Sequence, residues 1–356
     1  MDPMPSGVPF TGDAPASHPL RPLAGWYARR RRLIYPALVC IIYAIWASYM
    51  SFSNSWGLFR EYWPASLTMV LGSFVAGATA EGGGAVAFPV FTKVLHLAPT
   101  DARTFSLMIQ SFGMGMASLF IITRKIRILP RVVAWVSLGG VLGHVLGTYW
   151  VQVPNPYPKV LFTFVTTAFG CALFLSTYIH KWKPLPSMPG WGPRYRLLFF
   201  ALGILGGTFA AQVGSGIDVI TFMVLTLAFG VDERVSTPTT VIIMAINSWV
   251  GFFLHGVISR DIGPMWNYWL VAVEVVIIGA PLGAFIVSKA NRYFVINFIL
   301  TLISLELVTT LWLVPIRNTP EILATLSALA FCALAFWLML RYRRRTNAEA
   351  LMRPAP

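Results

Sequence analysis

SLTMVLGSFVAGATAEGGGAVAFPVFTKV, residues 66–94, is a long apolar stretch broken at Glu81-Gly82-Gly83-Gly84. A second stretch, LLFFALGILGGTFAAQVGSGIDVITFMVLTL at residues 197–227, is broken at Gly214-Ser215-Gly216. Each such glycine weakens a helix by roughly 1 kcal/mol and admits positive φ, so the chain can turn there. Each stretch is therefore expected to form a helix–turn–helix hairpin that enters and leaves by the same face. The halves before the breaks should run ~20–25 Å and those after them ~15–20 Å.

Outward from the breaks, eight segments have spanning length: Leu33–Met50, Ala102–Thr123, Val132–Val151, Lys159–Ile179, Val235–Leu254, Trp266–Val287, Tyr293–Val314 and Ile322–Leu340. Each has about 18–22 residues, which suits a hydrocarbon core of ~30 Å. Only 11% of the 356 residues are charged and 56% are hydrophobic, whereas a soluble domain carries about a quarter charged residues. The expected fold is an all-α polytopic membrane protein, with about eight spanning helices plus two glycine-broken hairpins. Trp63, Tyr149, Trp150, Trp191, Trp266 and Trp269 stand near segment ends, where interface belts form. Cys40, Cys171 and Cys332 lie inside apolar segments without disulfide or metal spacing, and read as small buried residues.

The formal net charge is +14. Its placement argues against nucleic acid, because runs such as Arg29–Arg32 and Arg343–Arg345 sit at the ends of apolar segments. There they set orientation and attract anionic lipid headgroups. With both hairpins returning to their own side and the N-terminus cytoplasmic, only Arg60, Lys93, Arg103, Lys159, Arg260 and Arg317 of the 27 Lys and Arg fall outside. Single crossings would instead put Arg124–Arg131 outside, against the positive-inside rule. The first hairpin then enters from outside and the second from the cytoplasm, giving an inverted repeat in which Gly82 superposes on Gly214 and Gly84 on Gly216. Broken helices in inverted repeats are a transporter architecture.

The expected organisation follows: 1–28 a disordered cytoplasmic tail, 29–65 an extra N-terminal helix and loop, and 66–180 the first repeat. Residues 181–196 form a cytoplasmic linker, 197–315 the second repeat, 316–340 an extra C-terminal helix and 341–356 a basic cytoplasmic tail.

A broken helix leaves N–H groups free where its second half begins, near Ala85 and Ile217, and their partial positive charge favours an anion. Non-helical backbone at membrane depth is tolerated where it is covered by protein or lines a watery cavity. The candidate substrate site is thus Glu81, Gly82, Gly83, Gly84, Gln212, Gly214, Ser215 and Gly216. The alternative for these glycines is close helix packing, as small residues provide in membranes. Glu81 would repel an anion, so it is expected either to be neutral or bind a coupling proton, or else to cap backbone N–H groups at the break. Gln212 is placed to hydrogen-bond an oxyanion. Thr79 and Asp218 stand beside the tips, and Gln110, Thr237, Thr239 and Asn247 lie on the helices that follow. His144, Glu274 and Glu306 fall within spans at a shared expected depth, ~10–13 Å from the outer ends. Ionisable residues there are functional candidates, here for a proton relay. No metalloprotease, P-loop or nucleophile-elbow signature is present, the five histidines lack metal spacing, and no cofactor is implied.

Ala76-Gly77, Gly82-Gly83-Gly84 and Pro89, followed by Ala102–Ser106, resemble the first repeat of the sulfite exporter TauE/SafE family, also called the toluene-sulfonate uptake permease family. Gly203, Gly206, Gly207, Gly214 and Gly216, followed by Arg234–Thr240, resemble its second. The likeness covers roughly residues 66–315. It differs at Ser215, where a glycine would stand, at Thr221 opposite Pro89, and at Glu81 and Gln212, which replace small or apolar residues. The resemblance implies transport of sulfite, sulfonates or related anions across the bacterial cytoplasmic membrane. The expected function is a secondary transporter, an exporter, with a small anionic substrate and lipid as partners; a homo-oligomer is compatible with this. An anion channel using the same tips, or a membrane-embedded enzyme or assembly factor, are the other readings.

Overall fold

The computed structural model describes residues 21–83, 86–87, 90–151, 153–154, 157–179, 183–313, 326, 330 and 333–343. The chain folds into helices α1 (Arg21–Phe52), α2 (Leu58–Ala78), α3 (Pro99–Thr123), α4 (Pro130–Tyr149), α5 (Tyr157–Phe174), α6 (Pro193–Val213), α7 (Ile217–Met223), α8 (Glu233–Phe253), α9 (Met265–Lys289) and α10 (Arg292–Leu313). π-turns extend α5 to Ile179, α7 to Ala228 and α8 to Ser259. Proline opens α3, α4 and α6, where its missing N–H costs nothing. Asp232 caps α8 by accepting from the Arg234 N–H.

Among the described residues eight helices are long and apolar enough to cross a membrane. They include α6, expected only as a hairpin arm, while Ile322–Leu340 is described only at 326, 330 and 333–340. Both arms exceed the expected length: α2 and α6 have 21 residues each, about 31 Å at 1.5 Å per residue. Their starts explain this. α2 begins at Leu58, so residues 58–65 are not loop, because Pro64 is accommodated inside the helix. Likewise Pro193 opens α6 inside the expected linker.

α1 starts at Arg21, so the expected tail is helical from there. Pro22 falls in the first turn, where it is tolerated, and Arg29–Arg32 are good helix formers. The segment before α6 and the one after α7 lie side by side, Leu185 bonding Gly230 O and Asp232 N at 2.8 and 2.9 Å. Helix also runs through 333–343, past the expected boundary at 340. Arg343 is buried rather than part of a solvated basic tail. It donates to the Thr226 carbonyl at 3.1 Å, as a cation near a helix C-terminus does.

The helices pair across the two halves of the chain. α2 packs on α9 and α6 on α4; α3 packs on α8, and α5 on α10. Glycines permit both close pairings. A Cβ at Gly143 would overlap the Ile204 carbonyl, and one at Gly283 would overlap that of Phe74. Glu233 and Arg292 tie the starts of α8 and α10 through a forked pair at 2.6 and 3.0 Å.

Little of α1 is fully buried along its span, yet one side of it packs on the core and is anchored to α9. Tyr35 donates to Ile277 O at 3.3 Å, Trp46 to Leu270 O at 2.8 Å, and Tyr43 to Glu274 O. Pro281 inside α9 has no N–H for the carbonyl four residues back, which is that of Ile277. Tyr35 fills the gap. We expect Tyr35→Phe to destabilise the protein by about 1–3 kcal/mol, the cost of an unsatisfied buried carbonyl. The loss should shrink in a Pro281→Ala background, as read by thermal denaturation in detergent; equal losses in both backgrounds would refute the link.

Two expectations about side chains change. Cys40 and Cys171 are exposed on helix surfaces, where lipid accommodates them as well as a core would, and Cys332 lies outside the described residues. Trp269 is buried against Phe112 and Trp266 instead of standing in an interface belt.

Candidate functional site

α6 closes at Gly214, whose N–H bonds Ala210 O at 2.7 Å and whose φ is +87°. Gly216 follows at φ +128°, and α7 starts at Ile217 where expected. At the other break α2 ends at Ala78, Thr79 turns extended, and Gly82 takes φ +69°. Gly82, Gly214 and Gly216 thus serve backbone conformation, which only glycine adopts at low cost, and their neighbours leave no room for a Cβ either. Gly143 and Gly283, without positive φ, serve close helix packing alone.

The two breaks meet. A Cβ at Gly82 would lie 2.7 Å from Gln110 Oε1, 3.0 Å from Asp218 Oδ2 and 3.6 Å from Ser215 Cβ. Gln110, midway along α3, joins them: its Nε2 donates to Gly214 O at 2.8 Å and to Ser106 O at 3.0 Å. Gln110 Oε1, Asp218 Oδ2 and Ser106 Oγ are buried and lack hydrogen-bond partners among the described residues. Buried polar atoms without partners are costly and call for an explanation such as a bound group. Glu81 is buried beside this junction, and its N–H donates to Thr79 Oγ1 at 3.2 Å. Thr79 in turn donates to Val75 O at 3.0 Å.

One physical expectation is changed at α7. Its first N–H groups are not empty, because Asp218 Oδ1 accepts from Gly216 N and Val219 N, each at 3.0 Å. A carboxylate of the chain occupies the place an anion would take.

Other candidates are distributed as follows. Asn247 Nδ2 donates to His144 Nδ1 at 3.0 Å between α4 and α8. His144 Nε2 and Asn247 Oδ1 are buried without partners among the described residues. This pair adjoins the junction through Gly140, next to both Ile217 and Asn247 Oδ1. Glu274 lines a cleft of about 580 Å³ with Tyr43 and Phe74. Glu306 bonds Thr163 at 2.9 Å. His144, Glu274 and Glu306 therefore occupy three separate places, and no contact joins them among the described residues. Thr239 serves the loop before α4, accepting from Leu129 N at 3.0 Å. Thr237 lies near Gly77 and Arg234 at the start of α8. Gly83 faces Gly72 and Ala76 of α2, and Gly84 and Ala85 lie outside the described residues.

Gln212 turns away from the junction. It donates to Gly147 O and Val151 O at 2.7 and 2.6 Å and accepts from Val153 N at 3.3 Å. Its position two residues before Gly214 puts it on the far side of the helix end, against the end of α4. There it lines a separate cleft with Arg103, His255 and Asp261. Ser106, at the junction, drew no attention as a site residue in the sequence; lying within the Ala102–Ser106 motif is the signal that could have found it.

A family model described as Sulfite exporter TauE/SafE matches residues 65–309. The chain belongs to the TauE/SafE family. This is a family of membrane transporters and not of enzymes, and the chain, with eight helices long and apolar enough to cross a membrane among the described residues, is a multi-pass membrane protein. The TauE/SafE match takes in both breaks, Gln110, Asp218, His144 and Asn247, and leaves out α1 and residues 333–343. Searches of curated proteins and of solved structures find no match.

Proposed function

We propose that this TauE/SafE protein is a secondary transporter, working as an exporter, of a sulfur-containing anion such as sulfite or a small organosulfonate. The observation that carries the reading is the junction, where two broken helices from distant parts of the chain bring unpaired polar atoms around Gly82. Alternating access about this junction fits an inverted repeat, and the exchange of partners between halves supports one: α2 on α9 is matched by α6 on α4. The side-by-side segments flanking α6 and α7 support a hairpin that leaves by the face it entered. The distribution of basic residues supports termini on the cytoplasmic side, and the family resemblance supports a bacterial cytoplasmic membrane.

Two acids at an anion site point to proton coupling. A protonated Asp218 or Glu81 loses its charge and gains an O–H donor for an oxyanion. Substrate and proton would then share the junction.

Flux in proteoliposomes tests this. Saturable uptake of labelled sulfite or methanesulfonate, accompanied by protons, is the expected result. Conductance that never saturates would replace the transporter with a channel, and failure of every sulfur anion to move would remove the substrate class. For Glu81→Gln we expect the pH dependence of flux to flatten by at least about tenfold, equivalent to 1.4 kcal/mol. An unchanged profile would leave Glu81 a capping role.

A further inference from the structure

A polar cleft of about 290 Å³ opens where α4 and α8 end. Arg103, Thr148, Tyr149, Gln212, His255 and Asp261 line it, brought from four distant segments. Its floor is the last turn of α6. Arg103 Nη1 reaches Ala211 O at 3.4 Å, and its backbone touches Gly214. The Nε edge of the guanidinium is buried without a partner, and among the described residues no carboxylate lies within salt-bridge distance of Arg103. That is unusual for arginine, whose fork is built to bind two oxygens of a carboxylate or similar oxyanion.

The one acid lining the cleft is engaged elsewhere. Both Asp261 oxygens meet His255 Nδ1, at 2.9 and 3.0 Å. His255 is 2% exposed, and its Nε2 is buried without a partner among the described residues. Arg103 Nε therefore needs an acceptor, and His255 Nε2 becomes a second donor when the ring is protonated against Asp261. Thr148 and Tyr149 close the wall, their hydroxyls bonded to His144 O and Ser259. Gln212 has its amide committed to backbone and acts as wall.

We propose that this cleft is a second oxyanion site beside the junction, holding a sulfonate or sulfite-like group on Arg103, with His255 donating from Nε2 in its protonated form. Its place in transport rests on the function proposed above; its ligand chemistry rests on the cleft alone. Gly214 adjoins both sites, because its carbonyl accepts from Gln110 at the junction and it packs on the backbone of Arg103, whose side chain lines the cleft.

Two measurements on the full-length protein test it. The first is labelling of Arg103 by phenylglyoxal, followed by mass spectrometry, with methanesulfonate as the probe. We expect labelling to slow at least fivefold in methanesulfonate and not in chloride of equal ionic strength. Equal rates would overturn the site. The second is methanesulfonate exchange in proteoliposomes, with its concentration varied on each side in turn. Arg103→Gln should raise half-saturation at least tenfold on one side only, with partial recovery in Arg103→Lys. A merely structural role would lower maximal flux from both sides equally, and that result would refute the proposal. Protection of Arg103 without any wild-type flux would keep the site and reject the transporter; wild-type flux without protection would do the reverse.

Discussion

Gly214→Ala is expected to reduce flux at least about thirtyfold in protein that still inserts, while Gly83→Ala transports nearly as well as wild type. The contrast follows from backbone geometry. Gly214 sits at φ +87°, and its added Cβ would lie 2.7 Å from Ser106 Cβ and 3.0 Å from the Arg103 carbonyl oxygen. Left-handed backbone costs an ordinary residue about 1–2 kcal/mol. Overpacking against a neighbour that cannot withdraw adds about 1–3 kcal/mol. Together these displace the Gly214 carbonyl from Gln110 and so open the junction. At Gly83 the nearest atoms are 3.4 Å away and φ is not positive, so a methyl fits. Uptake normalised to inserted protein checks both variants. Gly214→Ala within twofold of wild type would remove the break from the transport path.

The second large effect concerns Asp218. In Asp218→Asn the amide oxygen can still accept from Gly216 N and Val219 N, so the start of α7 keeps its cap. What disappears is the oxygen that can take a proton, the one beside Gly82. Proton movement accompanying the anion should fall more than tenfold while stability stays close to wild type. Asp218→Ala loses the cap as well, with about 1 kcal/mol of additional destabilisation. Simultaneous recording of internal pH and labelled anion separates these outcomes. If Asp218→Asn keeps its proton-to-anion ratio, Asp218 is a structural cap and coupling lies elsewhere.

Much of this was legible in the residues themselves. Glycine-rich interruptions in apolar runs have few explanations, so the break before Ile217 and the meeting of two tips follow from local chemistry. Gln110, Asp218 and Asn247 stood out because a polar side chain inside an apolar span needs a partner. The direction of a side chain at a helix end was not legible. Gln212 lies two residues from Gly214 and still faces the other way, because α6 remains helical through Val213. Nor could sequence assemble Arg103 with His255 and Asp261, which are more than a hundred residues apart. Burial was hidden for a different reason. In lipid both faces of a helix are apolar, so hydropathy carries no sign of which side is core; Cys40 and Cys171 look like core residues and face outward.

The glycine contacts between α2 and α9 and between α6 and α4 have a mechanical consequence. Where one backbone rests in the groove of another with no room for a methyl group, the pair cannot slide or splay without first separating. α2 and α6 are thereby each yoked to a helix from the opposite half of the chain. Whatever rocks when the path opens is a composite body, assembled across the two halves instead of along either. Cutting the chain between α5 and α6 would leave α2 in one fragment without α9, and α6 in the other without α4.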